Sequence, residues 1–220
     1  MRITGGTLRG RTVTCPPGII RPAMDRMRES FFSILGPLDG LSFLDLFSGS
    51  GCIALEAFSR GAYPIRVVEK DGGKRSVILK NLELADQRIE LSIMPAERFV
   101  MAWKESFDLI FLDPPFDYPF KAELLQRVAG SRLVHADSLI FMHFPDEDDI
   151  PAAIRAIRRS DDDATLPETK LVPGQESSEL SPPTSVAAKP QRNLEMYDQR
   201  LYGRSVLNFY RLEKTEGFLL

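Results

Sequence analysis

Apolar residues along this chain follow two alternating rhythms. Near 42–47, 63–69, 88–94, 107–113 and 137–144 they run together, as strands buried in a sheet do. Between those runs, near 52–60, 73–85, 96–104 and 118–130, they recur at helical spacing. Alternating β and α segments predict an α/β fold, a mostly parallel sheet with helices on both faces. Ligands of such sheets bind at the strands' C-terminal ends, beside the point where strand order reverses.

The ends of the chain break this rhythm. Arg2-Ile3-Thr4 and Arg9-Gly10-Arg11-Thr12-Val13-Thr14 flank Gly5-Gly6-Thr7, which predicts a hairpin that Pro16-Pro17-Gly18 ends. Residues 24–35 then predict an amphipathic helix with Met27, Phe31, Ile34 and Leu35 on its apolar face and Asp25, Arg28 and Glu29 elsewhere. After Phe144, Asp146-Glu147-Asp148-Asp149 predicts the acidic start of a helix reaching about Arg159. Residues 160–193 are rich in Asp, Ser, Pro and Glu, carry no aromatic, and predict a flexible insertion. A closing hairpin is predicted over 195–201 and 205–212, turning at Tyr202-Gly203-Arg204. The domain reading is an arm over 1–36, a catalytic domain over 37–159 and 194–214, and the insertion between its two parts.

Composition narrows the class. The 220 residues suit one compact domain with appendages. Cys15 and Cys52 cannot form a disulfide framework or a zinc set, though Cys52 at a helix start could have a lowered thiol pKa. His135 and His143 have no metal-ligand partners at useful spacing and read as structural, and Trp103 reads as core. No signal peptide or bilayer-long apolar run stands in the chain, which predicts a cytoplasmic protein with no membrane partner. The net charge of −3 hides an asymmetry: residues 1–35 carry six arginines against two acids, and residues 144–190 ten acids against five bases. Local charge steers a polyanion, so the amino-terminal arm is the predicted nucleic-acid contact.

The chemistry concentrates at three strand ends. Phe43-Leu44-Asp45-Leu46 runs into Phe47-Ser48-Gly49-Ser50-Gly51, a glycine turn opening a helix whose unpaired N–H groups face the strand's end. Glycine there accepts positive φ and lets a ligand approach the backbone. The next strand ends in Glu69, at about the spacing that places a carboxylate on a ribose. A later strand runs into Asp113-Pro114-Pro115-Phe116. A phosphate-binding loop fits poorly, since its lysine and Ser/Thr are missing; a dehydrogenase remains a second-rate fit, with Ala54 in the last glycine position of G-x-G-x-x-G.

Together these residues resemble S-adenosylmethionine-dependent methyltransferases that modify exocyclic base amines through a (D/N)-P-P-(F/Y) motif. Arg2-Ile3-Thr4-Gly5-Gly6, Leu8-Arg9-Gly10-Arg11, Arg21-Pro22, Asp25-Arg26-Met27-Arg28-Glu29, Phe32 and Leu35 narrow the resemblance to the RsmD family. The match continues through 44–51, Arg60-Gly61-Ala62, Glu69-Lys70-Asp71, Asn81 and 107–116, and returns at Tyr202-Gly203 and Phe209-Tyr210.

The resemblance implies a Rossmann-like methyltransferase fold with an N-terminal β-hairpin/helix arm, and methylation of the N2 amine of one guanine in bacterial 16S rRNA. It implies S-adenosylmethionine as cofactor and a monomer acting on rRNA within the 30S subunit or an assembly intermediate. Asp113, Pro114 and Phe116 would be catalytic, with the Asp113 carboxylate and Pro114 carbonyl accepting from the amine and Phe116 stacking on the base. Asp45, Phe47, Ser48, Gly49, Gly51, Glu69, Lys70, Ala96 and Asp113 would hold the cofactor, and Arg9, Arg11, Arg21, Arg26, Arg28 and Phe116 the RNA. No metal is expected. Two positions depart from the family pattern: Ala23 replaces a threonine, and Met94-Pro95-Ala96 lacks the acid that contacts adenine, leaving Ala96, Glu97 or apolar packing for that task. A DNA or tRNA adenine-N6 methyltransferase and a non-catalytic rRNA-binding assembly factor are the alternatives.

Overall fold

The computed structural model describes residues 1–15, 22–157 and 192–213. An arm over 1–15 leads into helix α1 (Pro22–Leu35). Strands β1 (Phe43–Leu46), β2 (Ile65–Glu69), β3 (Glu90–Ile93), β4 (Leu109–Leu112) and β5 (Leu139–Pro145) then alternate with α2 (Cys52–Ser59), α3 (Arg75–Leu82), α4 (Ala96–Ala102) and α5 (Lys121–Gly130). Short β6 (Ala153–Ile154) and a hairpin of β7 (Leu194–Leu201) and β8 (Ser205–Leu212) close the sheet. The order is β3-β2-β1-β4-β5-β8-β7-β6, parallel from β3 through β5 and antiparallel beyond it. Chain direction of travel reverses between β1 and β4, so the switch point lies between those two strands' C-terminal ends.

Both faces of the sheet are covered, which explains why β1 and β4 are apolar and buried at nearly every position. On one face, Phe31 and Phe32 of α1, the apolar side of α2, and Ile78 and Leu82 of α3 pack on Phe43, Val67, Phe111, Phe141 and Phe209. On the other, Phe99 of α4 and Leu124, Leu125 and Val128 of α5 pack on Leu44, Ile110, Leu112, Ile140 and Met142. The apolar face of α1 is Met27, Phe31 and Phe32, while Ile34, expected inside, is 44% exposed. Phe31 stands within ring contact of Phe111, Phe141 and Phe209, so this helix is part of the core.

The arm also packs inward. Arg2 and Thr12 form an antiparallel bridge, and Ile3 and Val13 join the core cluster. Its backbone is tied to α2 and α3: Thr4 N–H donates to Glu56 Oε1 at 2.8 Å, Thr7 N–H to the Ser59 carbonyl at 2.7 Å, and Thr14 N–H to Asn81 Oδ1 at 2.9 Å. Asn81 in turn donates to the Ser50 carbonyl, so one side chain joins the arm to the glycine turn.

Two expectations are corrected. Residues 146–157 form turns and the short β6 rather than a helix, because Ile154 and Ala156 pack into the core beside α5 and Leu194 extends the sheet there. The Cys52 thiol is pushed up to about 12 by burial, which outweighs the neighbouring Arg28 charge and the helix start. Most of the 160–193 insertion lies outside the described residues, as does Arg21 among the expected RNA contacts. Among the described residues, no helix is long and apolar enough to cross a membrane.

Candidate active site

The loops after β1, β2 and β4 meet at the switch point. After β1 the chain turns through Phe47 at φ 64°, and then Gly49 at φ 61° and Gly51 at φ 79°. Left-handed backbone costs an ordinary residue about 1–2 kcal/mol, and Phe47 alone accepts that cost here. The two glycines do different work. A Cβ on Gly51 would lie 3.2 Å from Leu82 Cδ2, so this residue lets α2 and α3 close together. A Cβ on Gly49 would meet nothing within 4 Å, so Gly49 borders the open space above the strand ends. Open space for close approach therefore lies at Gly49; Gly51, expected to share it, packs against Leu82.

Three carboxylates converge on this space. Glu69, 5% exposed, accepts the Gly49 N–H on Oε2 and the Asp71 N–H on Oε1, both at 2.9 Å, with Lys74 Nζ at 3.4 Å. Each oxygen keeps further acceptor capacity for a hydroxyl. Asp45 is buried, and its Oδ2 accepts the Ser48 hydroxyl at 2.6 Å while Oδ1 has no hydrogen-bond partner. Burial pushes the Asp45 carboxyl up to about 7, with the Asp113 and Glu69 charges adding to that and the Ser48 hydroxyl and Ala54 amide opposing it. An unpartnered buried oxygen beside a glycine cradle fits a ligand that brings its own donor.

Asp113 follows β4 directly, and its amide donates to the Leu46 carbonyl at 3.3 Å. Its carboxylate is 18% exposed and its Oδ1 lies 2.8 Å from Nδ1 of His143, which is 1% exposed. Pro114 is buried, Pro115 exposed and Phe116 half-buried, with the Phe116 ring edge-on to His143 at 5.7 Å. Lys121, 4% exposed, holds the same loop from below: its Nζ donates to the Phe116 and Tyr118 carbonyls at 2.7 and 2.8 Å and pairs with Asp148 at 2.7 Å. The Tyr118 hydroxyl donates to Glu97 at the start of α4, and its ring packs on Phe47 at 5.4 Å. That bond ties the third and fourth strand ends together where Pro95 supplies no polar side chain. Burial, then Glu97, raise the Tyr118 phenol well above its ordinary value.

His143 and Lys121 escape a reading of spacing alone. His143 lies 30 residues from Asp113 in sequence, and only the register of β4 beside β5 could signal it; Lys121 follows Phe116 by five residues, but its spacing does not mark its ammonium as a donor to that loop. Lys70, next after Glu69, is exposed, and Ala96 at the start of α4 is 3% exposed within the core cluster. His135 pairs with Asp108 at 3.1 Å away from the strand ends that carry the site, and Trp103 stacks on Phe99 and takes the Arg66 guanidinium on its face.

The expected RNA contacts divide. Arg9, Arg11 and Arg26 are exposed. Arg28 is not: at 3% exposure it binds Glu56 Oε1 at 2.9 Å, Asp25 at 2.9 Å and the Arg2 carbonyl at 2.8 Å. Its charge answers the fully buried Glu56, which Arg60 also contacts, so the phosphate role expected of Arg28 gives way to a structural one.

The chain matches the model of the family described as conserved hypothetical protein 95 over residues 1–172. Ribosomal RNA small subunit methyltransferase D of Escherichia coli K12 is 32% identical over 157 residues, 69% of this chain and 78% of that protein. YlbH of Bacillus subtilis is 32% identical over 162 residues, 70% and 88% of the two chains. The solved structure of yhhF from Escherichia coli aligns with a TM-score of 0.70 at 25% identity, covering 98% of this chain and 99% of that one.

Proposed function

Because this chain belongs to the RsmD family, we propose that it transfers a methyl group from S-adenosylmethionine to the exocyclic N2 amine of a guanine in small-subunit ribosomal RNA. The observation that carries the reading is the placement of Asp113, a largely buried carboxylate closing β4, across the switch point from the Gly49 turn and Glu69. Bound S-adenosylmethionine supplies a methyl group on a sulfonium, an electrophile that needs alignment more than acid–base help.

The cofactor's ribose hydroxyls have acceptors in Glu69, and the bare Oδ1 of Asp45 suits its amino-acid end. The Gly49 turn leaves room for the chain of atoms between them. An aromatic amine is a poor nucleophile, since its lone pair is delocalised into the ring. Accepting its two N–H groups on the Asp113 carboxylate and the Pro114 carbonyl turns that lone pair toward the methyl and stabilises charge as it develops. The C–N bond would form as the S–C bond breaks, leaving the sulfur a neutral thioether, and the amine's extra proton would pass to the Asp113 carboxylate and on to solvent. Phe116 offers a face for the extruded base.

The arm's exposed Arg9, Arg11 and Arg26 supply phosphate contacts, and the substrate is 16S rRNA within the 30S subunit or an assembly intermediate. The enzyme works as a monomer in the cytoplasm, and residues 1–36 form its RNA-binding arm.

Single-turnover transfer of a labelled methyl group to unmethylated small-subunit rRNA or 30S particles tests this, with the product nucleoside identified. Asp113→Ala should lose on the order of 10²–10³ in rate while cofactor affinity holds. Full activity of that variant, or a methyl group on a ring carbon or on adenine N6, would refute the reading.

A further inference from the structure

We propose that His143 is a positioning residue that orients Asp113 for methyl transfer, an inference that rests on the function proposed above. In β4 and β5, Leu112 stands opposite Met142, and Phe111 opposite Phe141. Side chains alternate between faces, so Asp113 and His143, one position further along each strand, fall side by side on the Phe111–Phe141 face. There Nδ1 of His143 lies 2.8 Å from Oδ1 of Asp113. An ionised carboxylate only accepts, so Nδ1 carries the hydrogen and donates it. This leaves Oδ2 as the oxygen available to the amine.

The constraint is needed because Asp113 shares its space with Asp45 and Glu69, whose charges bear on one another. Repulsion from neighbouring carboxylates, Asp45 included once it ionises, favours rotation of the most exposed one away from the site, and Asp113 is that one, at 18% against 6% for Glu69. A fixed N–H donor, itself 1% exposed, opposes that rotation. The Nε2 atom is buried and has no hydrogen-bond partner among the described residues, so no second bond turns the ring elsewhere. The same imidazole meets the Phe116 ring edge-on, at an interplanar angle of 62°. One histidine thus braces both the carboxylate that receives the amine and the aromatic ring on which the base stacks.

The test compares His143→Leu, His143→Asn and His143→Gln. An asparagine amide can place an N–H near the Nδ1 position, whereas glutamine reaches toward Nε2. Single-turnover methyl transfer to unmethylated small-subunit rRNA is measured beside calorimetric affinity for S-adenosylmethionine and the melting temperature. His143→Leu should lose about 10- to 100-fold in rate, the usual cost of removing a group that orients a primary contact. Cofactor affinity should stay unchanged, and His143→Asn should recover most of the rate where His143→Gln does not. Equal rates in the Asn and Gln variants, or a wild-type rate in His143→Leu, overturn the inference and leave the function standing. Should His143→Leu unfold, the Asn and Gln comparison decides alone. A wild-type protein that methylates no small-subunit rRNA overturns the function instead, and the inference with it.

Discussion

The Gly49 amide donates to Glu69 Oε2 at 2.9 Å, so the carboxylate expected to hold a ribose also pins the glycine turn of the neighbouring strand. The proposed ribose contact and the turn geometry share one side chain. Glu69→Ala should therefore weaken S-adenosylmethionine binding by roughly 1.5–3 kcal/mol for each hydrogen bond lost to the charged acceptor. Glu69→Gln should lose less, since its amide oxygen can still accept one backbone N–H. Titration calorimetry measures both; unchanged affinity in Glu69→Ala removes Glu69 from the site.

The two glycines of the turn should separate binding from folding. Gly51→Ala forces a left-handed φ of 79° and a Cβ against Leu82, so its melting temperature should fall by the equivalent of about 1–2 kcal/mol. Gly49→Val carries comparable backbone strain, but its side chain projects into open space, and it should in addition abolish cofactor binding. Cofactor-induced shifts in melting temperature distinguish them: a shift kept in Gly51→Ala and lost in Gly49→Val is the expected result.

Asp45 makes stability depend on pH. Its carboxyl is raised to about 7 by burial, so between roughly pH 4 and pH 7 the folded chain holds a proton that the unfolded chain has released. Stability without cofactor should therefore fall as pH rises through that window, by at most about 1.4 kcal/mol per pH unit from this group. Asp45→Asn should flatten the slope. Urea denaturation of both proteins at pH 5 and pH 8 checks it, and parallel slopes would show that Asp45 titrates normally.

Lys121 should matter to the reaction without touching it. Lys121→Met fills the same space but removes the ammonium's hydrogen bonds to the Phe116 and Tyr118 carbonyls, at roughly 1–3 kcal/mol in total, and loosens the Asp-Pro-Pro-Phe loop. Denaturant melts should record the stability loss, and methyl transfer should slow. Asp148→Asn, which keeps a polar group beside the ammonium, should be milder in both measurements.

The arginines of the arm should fall into two classes. Arg9→Gln and Arg11→Gln, both at exposed positions, should each lower the slope of log affinity for RNA against log salt by about one, with the melting temperature unchanged. Arg28→Met removes a partner of the fully buried Glu56 and should cost about 3 kcal/mol of stability. Filter binding at several salt concentrations, with thermal melts alongside, reads both effects.

Element order was legible because periodicity is local. Five strands, of which the edge strand β3 is only half-buried, four helices between them and the closing hairpin lie within a few residues of their predicted places. A strand buried on both faces must be apolar throughout, and a helix on a sheet must be apolar on one side, whatever surrounds them. The predicted helix at 146–159 failed for the same reason in reverse. Its acidic start mimicked a helix terminus, but Ile154 and Ala156 are held by long-range packing that no local pattern carries.

The chain's linear order determined which residues end the strands, and so brought Gly49, Glu69 and Asp113 to one edge of the sheet. Tertiary structure decided what those residues touch. Strand register put His143 beside Asp113, the chain after β5 brought Asp148 to the Lys121 ammonium, and the close contact of α2 and α3 gave Gly51 to packing. Depth did the rest, since Arg28 reads in sequence like Arg26 and differs only in facing the buried Glu56. Hydrogen bonds and ion pairs act over a few ångströms in space, so partners 28 or 30 residues apart in sequence meet only when the fold brings them together.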